Sequence, residues 1–237
     1  MLDKIKNENI LFIDIETVPS EKSFDNLSEH FKNLWEKKSS NFRKEGESAS
    51  DVYNRAGIYA EFGRIICISV CYISDSANKL LRVKSFYNDD EKILLSEFIK
   101  MLNSYFNKEE HLLCAHNGKE FDFPYIARRI IINGLKLPKL LNIAGKKPWE
   151  IQHLDTMELW KFGDYKSYTS LDLLTTILSI PSPKDDIDGS QVANVYWVGN
   201  DLLRIVKYCE KDAIAVAQLF LRYKGEDIIP ELNISYV

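Results

Sequence analysis

Residues 65–73, IICISVCYI, form an almost unbroken apolar run. A membrane span needs about 20 such residues, so this run is far too short to cross a bilayer and must be buried in protein. It belongs to a predicted strand over residues 64–73. A second strand is predicted over residues 79–87, after a polar turn of Ser74, Asp75, Ser76, Ala77 and Asn78. Residues 10–16 read as another buried strand, one that ends in acid, and HLLCAHN as a short fourth. The chain is thus built on a sheet, and its 237 residues suffice for one large α/β domain with a real core.

Helices fill the intervals. Ile93, Leu94, Phe98, Met101, Leu102 and Tyr105 recur at helical spacing within residues 90–106. The segment FPYIARRIIING predicts a helix with Pro124 near its first turn and Gly134 as its terminator. Residues 151–160 suggest a short strand or turn before a helix, and residues 170–179 a helix stopped before Pro181. SPKDDIDGS is a polar loop, and a last helix runs from about Asp201 to Lys224, ended by Gly225. Strands first, then strands alternating with helices, favour a mixed sheet covered by helices.

Residues 20–62 differ from this pattern: they are polar and charged, and form a long insertion after the first strand. Phe24, Leu27, Phe31, Leu34 and Trp35 predict an amphipathic helix in its first half, with a mobile loop beyond. A packing helix and a lid over a substrate both fit.

Composition excludes little. Hydrophobic residues make up 45% and charged residues 28%, as in ordinary globular chains, and the net charge is −4. A nucleic-acid partner would therefore need local basic patches or bound cations. Cys67, Cys71, Cys114 and Cys209 include no CxxC pair and read as buried, reduced thiols. The N-terminus MLDKIKNENI has no secretory apolar core, so a cytoplasmic protein is expected.

The acids carry the chemistry. Side chains alternate along a strand, so Asp14 and Glu16 share one face while Ile13 and Ile15 take the other. Two adjacent carboxylates at the end of an apolar strand repel each other and call for a cation. Hard divalent ions such as magnesium or manganese suit them, although a lone D-x-E also fits a strand that ends in water. Asp122 opens a helix after Asn117 and Gly118, either as a cap or as a ligand at the mouth of the sheet. Tyr208 and Asp212 lie four apart on one face of the last helix, beside apolar Ala213, Ile214 and Val216. A salt bridge from Asp212 to Lys207 or Lys211 is the plain alternative.

Taken together, ILFIDIETVP, NGKEFD and the Tyr208–Asp212 pair resemble the three motifs of the DEDD exonuclease superfamily in its tyrosine subclass. DIETVP and AHNGKEFDFPY are most similar to the proofreading exonuclease domain of family-B DNA polymerases, and to bacterial stand-alone exonucleases related to it. The resemblance spans residues 10 to about 222. It implies a ribonuclease H-like α/β fold, a mixed five-stranded sheet flanked by helices. Residues 1–237 would form a single exonuclease domain with the insertion at about 20–62, and no polymerase domain is expected in this chain.

The resemblance also implies a mechanism. Asp14, Glu16, Asp122 and Asp212 would hold two divalent ions, Mg2+ or Mn2+, about 3.5–4 Å apart, with Asp14 bridging them. Tyr208 would orient the attacking water. The implied activity removes nucleoside 5′-monophosphates from the 3′ end of single-stranded DNA. An exoribonuclease with the same site is the first rival, and a binding module that has lost catalysis the second. Backbone groups near Thr17 and Val18, with Asn117 and Phe121, would seat the terminal nucleotide.

Outside the motifs, each residue has two readings. Lys119, Arg128, Arg129, Lys146 and Lys147 are candidates for backbone phosphates or ordinary surface charge. Trp149, Tyr165 and Tyr168 can stack bases or pack helices. Asp155 reads as structural or supporting, His116 as a packed strand-end residue, and His153 has no assigned role.

Overall fold

A computed structural model describes residues 2–75, 79–164, 166, 168–181 and 187–237. Ser76, Ala77 and Asn78 of the expected turn, Tyr165, and most of the SPKDDIDGS loop lie outside the described residues. The sheet is built from β1 (Ile10–Pro19), β2 (Gly63–Asp75), β3 (Leu80–Tyr87), β4 (Leu112–Ala115), β5 (Leu154–Asp155) and β6 (Ile234–Tyr236). The strand order is β5-β4-β1-β2-β3-β6. β1, β2 and β3 form an antiparallel meander, while β4 pairs parallel to β1 and β5 parallel to β4. Those five strands are the ribonuclease H-like core.

The sixth strand corrects the expectation of five. β6 adds to the outer edge of β3 in parallel. Its three residues are too few to display a two-residue alternation, so it left no pattern to read.

Helices cover both faces. On one lie α2 (Glu91–Tyr105) and α3 (Asp122–Ile132); on the other lies α7 (Leu202–Tyr223), which follows the short helices α4 (Thr156–Lys161), α5 (Leu171–Ile177) and α6 (Val192–Trp197). The pleat of β1 sorts the core accordingly. Leu11, Ile13 and Ile15 pack with Leu94, Phe98, Phe123 and Ile126. Ile10 and Phe12 pack with Ala213, Val216 and Phe220. Asp14 and Glu16 continue the second series and so point to the α7 side.

Local signals set the helix ends. Asp90 caps α2 by accepting from Lys92 N at 2.8 Å and Ile93 N at 3.3 Å, a cap that contributes about 1 kcal/mol. Asp201 caps α7 by accepting from Arg204 N at 3.1 Å, and Gly225 ends it at φ 72°. The buried stripe of α2 is Leu94, Leu95, Phe98 and Leu102 rather than the expected one. Ile93, 46% exposed, faces outward, and Tyr105, 73% exposed, sits at the helix end.

The insertion is folded rather than a loose loop. Phe24–Asn26 form a 3-10 turn, and α1 (Glu29–Ser39) starts only at the Ser28 cap. Trp35 is fully buried, with Leu27, Ala49, Val52, Tyr53, Ala56 and Phe62 around it. Its indole N–H donates to Ala49 O at 2.9 Å. This satellite core is clamped to the sheet. Tyr125 Oη donates to Gly57 O at 2.7 Å, and Arg129 Nη1 to Ala60 O at 2.8 Å. A side chain at Gly57 would meet the Val18 backbone at 3.1 Å, so the close approach depends on glycine there.

Candidate active site

Three elements deliver acids to one place. β1 supplies Asp14 and Glu16, which sit across from Ser69 and Cys67 of β2, small partners that leave room above them. The β1–β2 register shifts between Glu16 and Thr17. Such a bulge bends a strand and re-aims the side chains beside it. α3 supplies Asp122 from its first residue. The approach to α3 turns at Asn117, φ 62°, and passes Gly118, where a Cβ would lie 2.3 Å from that of Ala115. α7 supplies Tyr208, Cys209 and Asp212.

The cluster is electrostatically strained, with two of its acids buried and two, Asp14 and Asp212, half-buried. Glu16 is 7% and Asp122 4% exposed. Carboxylate oxygens of Asp14 and Glu16 and the sulfur of Cys209 all lie within 4.8 Å of one another. Burial pushes the Asp14 carboxyl well above the usual range, reinforced by the charges of Asp212, Glu16 and Asp122. Glu16 is raised by burial and then by Asp212. Asp122 is lifted to about 7, chiefly by burial, while backbone amides of Asp122 itself and of Ile15 pull the other way. Among the described residues no lysine or arginine is one of the groups that shift these three.

One atom tests whether a cation belongs here. Asp14 Oδ2 is buried and has no hydrogen-bond partner. An uncompensated buried carboxylate oxygen is costly, and such atoms call for a paired charge or a metal. Asp14 and Glu16 offer hard carboxylate oxygens that suit a divalent ion, and the third atom of the group, the Cys209 sulfur, belongs to a thiol that burial keeps protonated, so these residues fit the expected magnesium or manganese.

Tyr208 completes the group. Its hydroxyl hydrogen-bonds the Asp212 carboxylate, and burial, then the charges of Asp212, Glu16 and Asp14, drive its pKa far upward. The phenol therefore stays protonated and can orient a water or phosphate oxygen but cannot act as a base. Cys209, which sequence reasoning left as a plain buried thiol, donates to Asp14 O at 3.4 Å and also meets Cys67. Its adjacency to Tyr208 was the available signal.

The expected nucleotide seat is mixed. Thr17 is half-buried and hydrogen-bonds Tyr125. The Val18 side chain is fully buried with Ile66, Val192 and Ile205, so only its backbone is available. Asn117 and Phe121 are half-buried, and Phe121 packs on the Tyr125 ring at 5.3 Å.

Among the phosphate candidates, Arg129 is corrected. Its guanidinium forms a buried ion pair with Glu91, so it holds the fold together. Lys119 pairs with Glu158 at 2.7 Å, whereas Arg128, Lys146 and Lys147 are exposed. Trp149 is 77% and Tyr168 66% exposed, each with a lysine against its ring, Lys147 and Lys161.

Asp155 is structural. It accepts from Asn117 N and Lys119 N at 3.0 Å and from Met157 N at 2.9 Å, fixing the turn that precedes Asp122. His116 is held between Thr156 and Thr169, as a packed residue would be. His153 accepts from Leu113 N and hydrogen-bonds Leu140 O; burial lowers its pKa to about 4. All four cysteines are free and buried. Among the described residues no helix is long and apolar enough to cross a membrane.

The chain is similar to known proteins over much of its length. Residues 58–227 match the family described as a predicted 3′–5′ exonuclease related to the exonuclease domain of PolB. The match begins near the end of the insertion and includes Asp122, Tyr208 and Asp212 but not Asp14 and Glu16. The chain is 22% identical over 178 residues to a DNA polymerase of Pyrococcus glycovorans, covering 67% of this chain and 22% of the polymerase. It is 24% identical over 177 residues to a DNA polymerase of Pyrococcus horikoshii, covering 67% and 14%. A DNA polymerase of Thermococcus gorgonarius is 23% identical over 197 residues, covering 76% and 24%. The chain thus spans less than a quarter of the length of each.

Proposed function

The chain belongs to the family of predicted 3′–5′ exonucleases related to the exonuclease domain of PolB, and on that premise we propose that it hydrolyses single-stranded DNA from the 3′ end, releasing nucleoside 5′-monophosphates. The observation that carries this reading is the unpartnered Asp14 Oδ2 inside a cluster with Glu16, Asp122 and Asp212. We take residues 1–237 as one exonuclease domain, with 20–62 inserted into it.

Asp14, Glu16, Asp122 and Asp212 would hold two divalent cations, magnesium or manganese. When bound, the ions supply neutralisation of the scissile phosphate and a more acidic attacking water. The chain's own groups do the rest. Tyr208, protonated and tied to Asp212, orients the nucleophile. Asn117, Phe121 and the backbone at Thr17 and Val18 seat the terminal nucleotide. Asp155 fixes the turn that positions Asn117. The similarity to DNA polymerases favours DNA over RNA as the polymer.

The test is digestion of 5′-labelled single-stranded DNA and matched RNA with magnesium, manganese or EDTA. The expected result is a ladder shortening from the 3′ end of DNA, abolished by EDTA. Cleavage of RNA alone would reassign the polymer. No cleavage of either strand by folded protein with metal present would overturn the reading.

A further inference from the structure

The carboxylate cluster creates a problem for its own substrate: a nucleic-acid strand is repelled by the acids and by the net charge of −4. The first half of α7 carries a compensating feature. Arg204, Lys207, Tyr208 and Lys211 follow at i, i+3, i+4 and i+7 and so form one stripe of the helix. Ile205, Val206 and Cys209 are the buried side of the same turns. The stripe lines a cleft of roughly 430 Å³, together with Glu210, Tyr236 of β6 and Ile187.

Only one acid, Glu210, lines that cleft among the described residues. Its carboxylate is held by Ser85 Oγ at 2.8 Å, which draws it onto β3. Lys207 is exposed, and Tyr236 is 61% exposed, presenting a ring at the edge of the cleft. Tyr208 belongs to both places, since its hydroxyl is bound to Asp212 of the acid cluster. Arg204 to Lys211 spans about 10 Å of helix, long enough to meet more than one phosphate.

Resting on the exonuclease reading above, we infer that the α7–β6 cleft is a binding site for the single strand on the 5′ side of the scissile bond. Arg204, Lys207 and Lys211 meet its phosphates, and Tyr236 offers a face to a base. The added strand β6 thereby has a role: its Tyr236 lines the substrate channel.

The inference is tested on the full chain with the double variant Arg204→Glu/Lys207→Glu and with Lys207→Ala as a milder change, thermal melting showing that each is folded. The substrates are an oligothymidylate of about 12 nucleotides and a dinucleotide that reaches only the catalytic end. kcat/KM on the oligomer should fall on the order of tenfold or more at moderate salt, while the dinucleotide is unaffected. Oligomer binding with EDTA present, followed by fluorescence anisotropy against salt, should show a slope shallower by about 1.4, at about 0.7 for each lost cation. Unchanged oligomer kinetics, or equal losses on both substrates, would overturn the inference while the exonuclease reading stands. If wild-type protein cleaves neither substrate, the exonuclease reading fails, and the salt slope alone decides whether the cleft binds a strand; an unchanged slope sinks it.

Discussion

Two buried acidic sites lie in this molecule, and they are built on opposite plans. Glu91, 7% exposed, accepts from Ile65 N at 2.7 Å, from Arg129 Nε at 2.9 Å and from Asn133 Nδ2 at 2.9 Å. The chain supplies every partner, including the cation, and Arg129 extends the network to Ala60 of the insertion. The Asp14 cluster concentrates more charge, with Glu16 and Asp122 buried and Asp14 and Asp212 half-buried, yet an oxygen of Asp14 is left without a partner and its carboxyls are pushed toward the protonated state. A carboxylate completed from within is part of the scaffold. A cluster completed only from outside is a binding site for what completes it.

The largest expected effect tests the second half of that contrast. Asp14→Ala removes the central carboxylate and should reduce nuclease turnover by about 10³-fold or more, several kcal/mol of transition-state stabilisation. Metal-free Asp14→Asn should nonetheless melt at the same temperature as wild type or higher, since a repelled, unpartnered charge is gone. A metal-free variant that melts well below wild type would mean that Asp14 is structural after all.

Arg129→Met tests the first half. It strands Glu91 in the interior and should cost about 3–5 kcal/mol of stability, read by denaturant unfolding, with turnover per folded molecule preserved. Adding Glu91→Met should recover part of the loss, because the uncompensated charge disappears while the buried Ile65 N–H loses its acceptor. A double variant no more stable than Arg129→Met would show that the network contributes geometry rather than charge balance.

A smaller effect separates the sites by pH. Asp122 moves from an ordinary 3.8 to about 7 in the folded, metal-free protein. Its folded pKa is raised, so the folded state holds a proton that the unfolded chain has released. That contribution to stability is present below about pH 4 and is lost as pH rises toward 7. His153, lowered from 6.5 to about 4, acts in the opposite sense: its contribution is present at neutral pH and lost as pH falls from 6.5 to about 4. Comparing wild type with Asp122→Asn cancels the histidine. The variant should gain melting temperature relative to wild type as pH rises from 4 to 7, and manganese should stabilise wild type more at pH 7 than at pH 5. A constant difference across that range would remove Asp122 from the strained cluster.

Much of this contrast was legible in the sequence, but unevenly. Asp14 and Glu16 announced themselves because a two-residue period fixes which face a strand residue takes, and Tyr208 and Asp212 because four residues make a helical neighbour. These are local rules. What the sequence concealed depends on partners distant along the chain. Arg129 looked like a surface cation because nothing near it in sequence reveals Glu91, 38 residues away. The bulge after Glu16 arises from pairing with β2, and β6 is too short to carry a pattern. Residues 20–62 appeared half loop because the aromatic core around Trp35 is assembled from scattered residues, with Ala49 rather than a helix neighbour taking the indole hydrogen bond.

The smallest effect lies where the two plans meet in one side chain. Tyr208 packs partly against apolar Val192, Ile205 and their neighbours, as a scaffold residue would, yet its hydroxyl is turned to Asp212. Tyr208→Phe keeps the ring and so keeps the packing; it removes only the donor. Turnover should fall by about tenfold, the 1.4 kcal/mol expected of one orienting hydrogen bond, with KM for the oligonucleotide nearly unchanged and melting temperature within a degree or two. The pH profile should show no new titration in the neutral range, because the wild-type phenol is protonated throughout it. A loss as large as that of Asp14→Ala would instead make the tyrosine essential to holding the acid cluster together. An unchanged rate would leave its hydroxyl as a partner for Asp212 alone, and the nucleophile would then be oriented by the carboxylates without it.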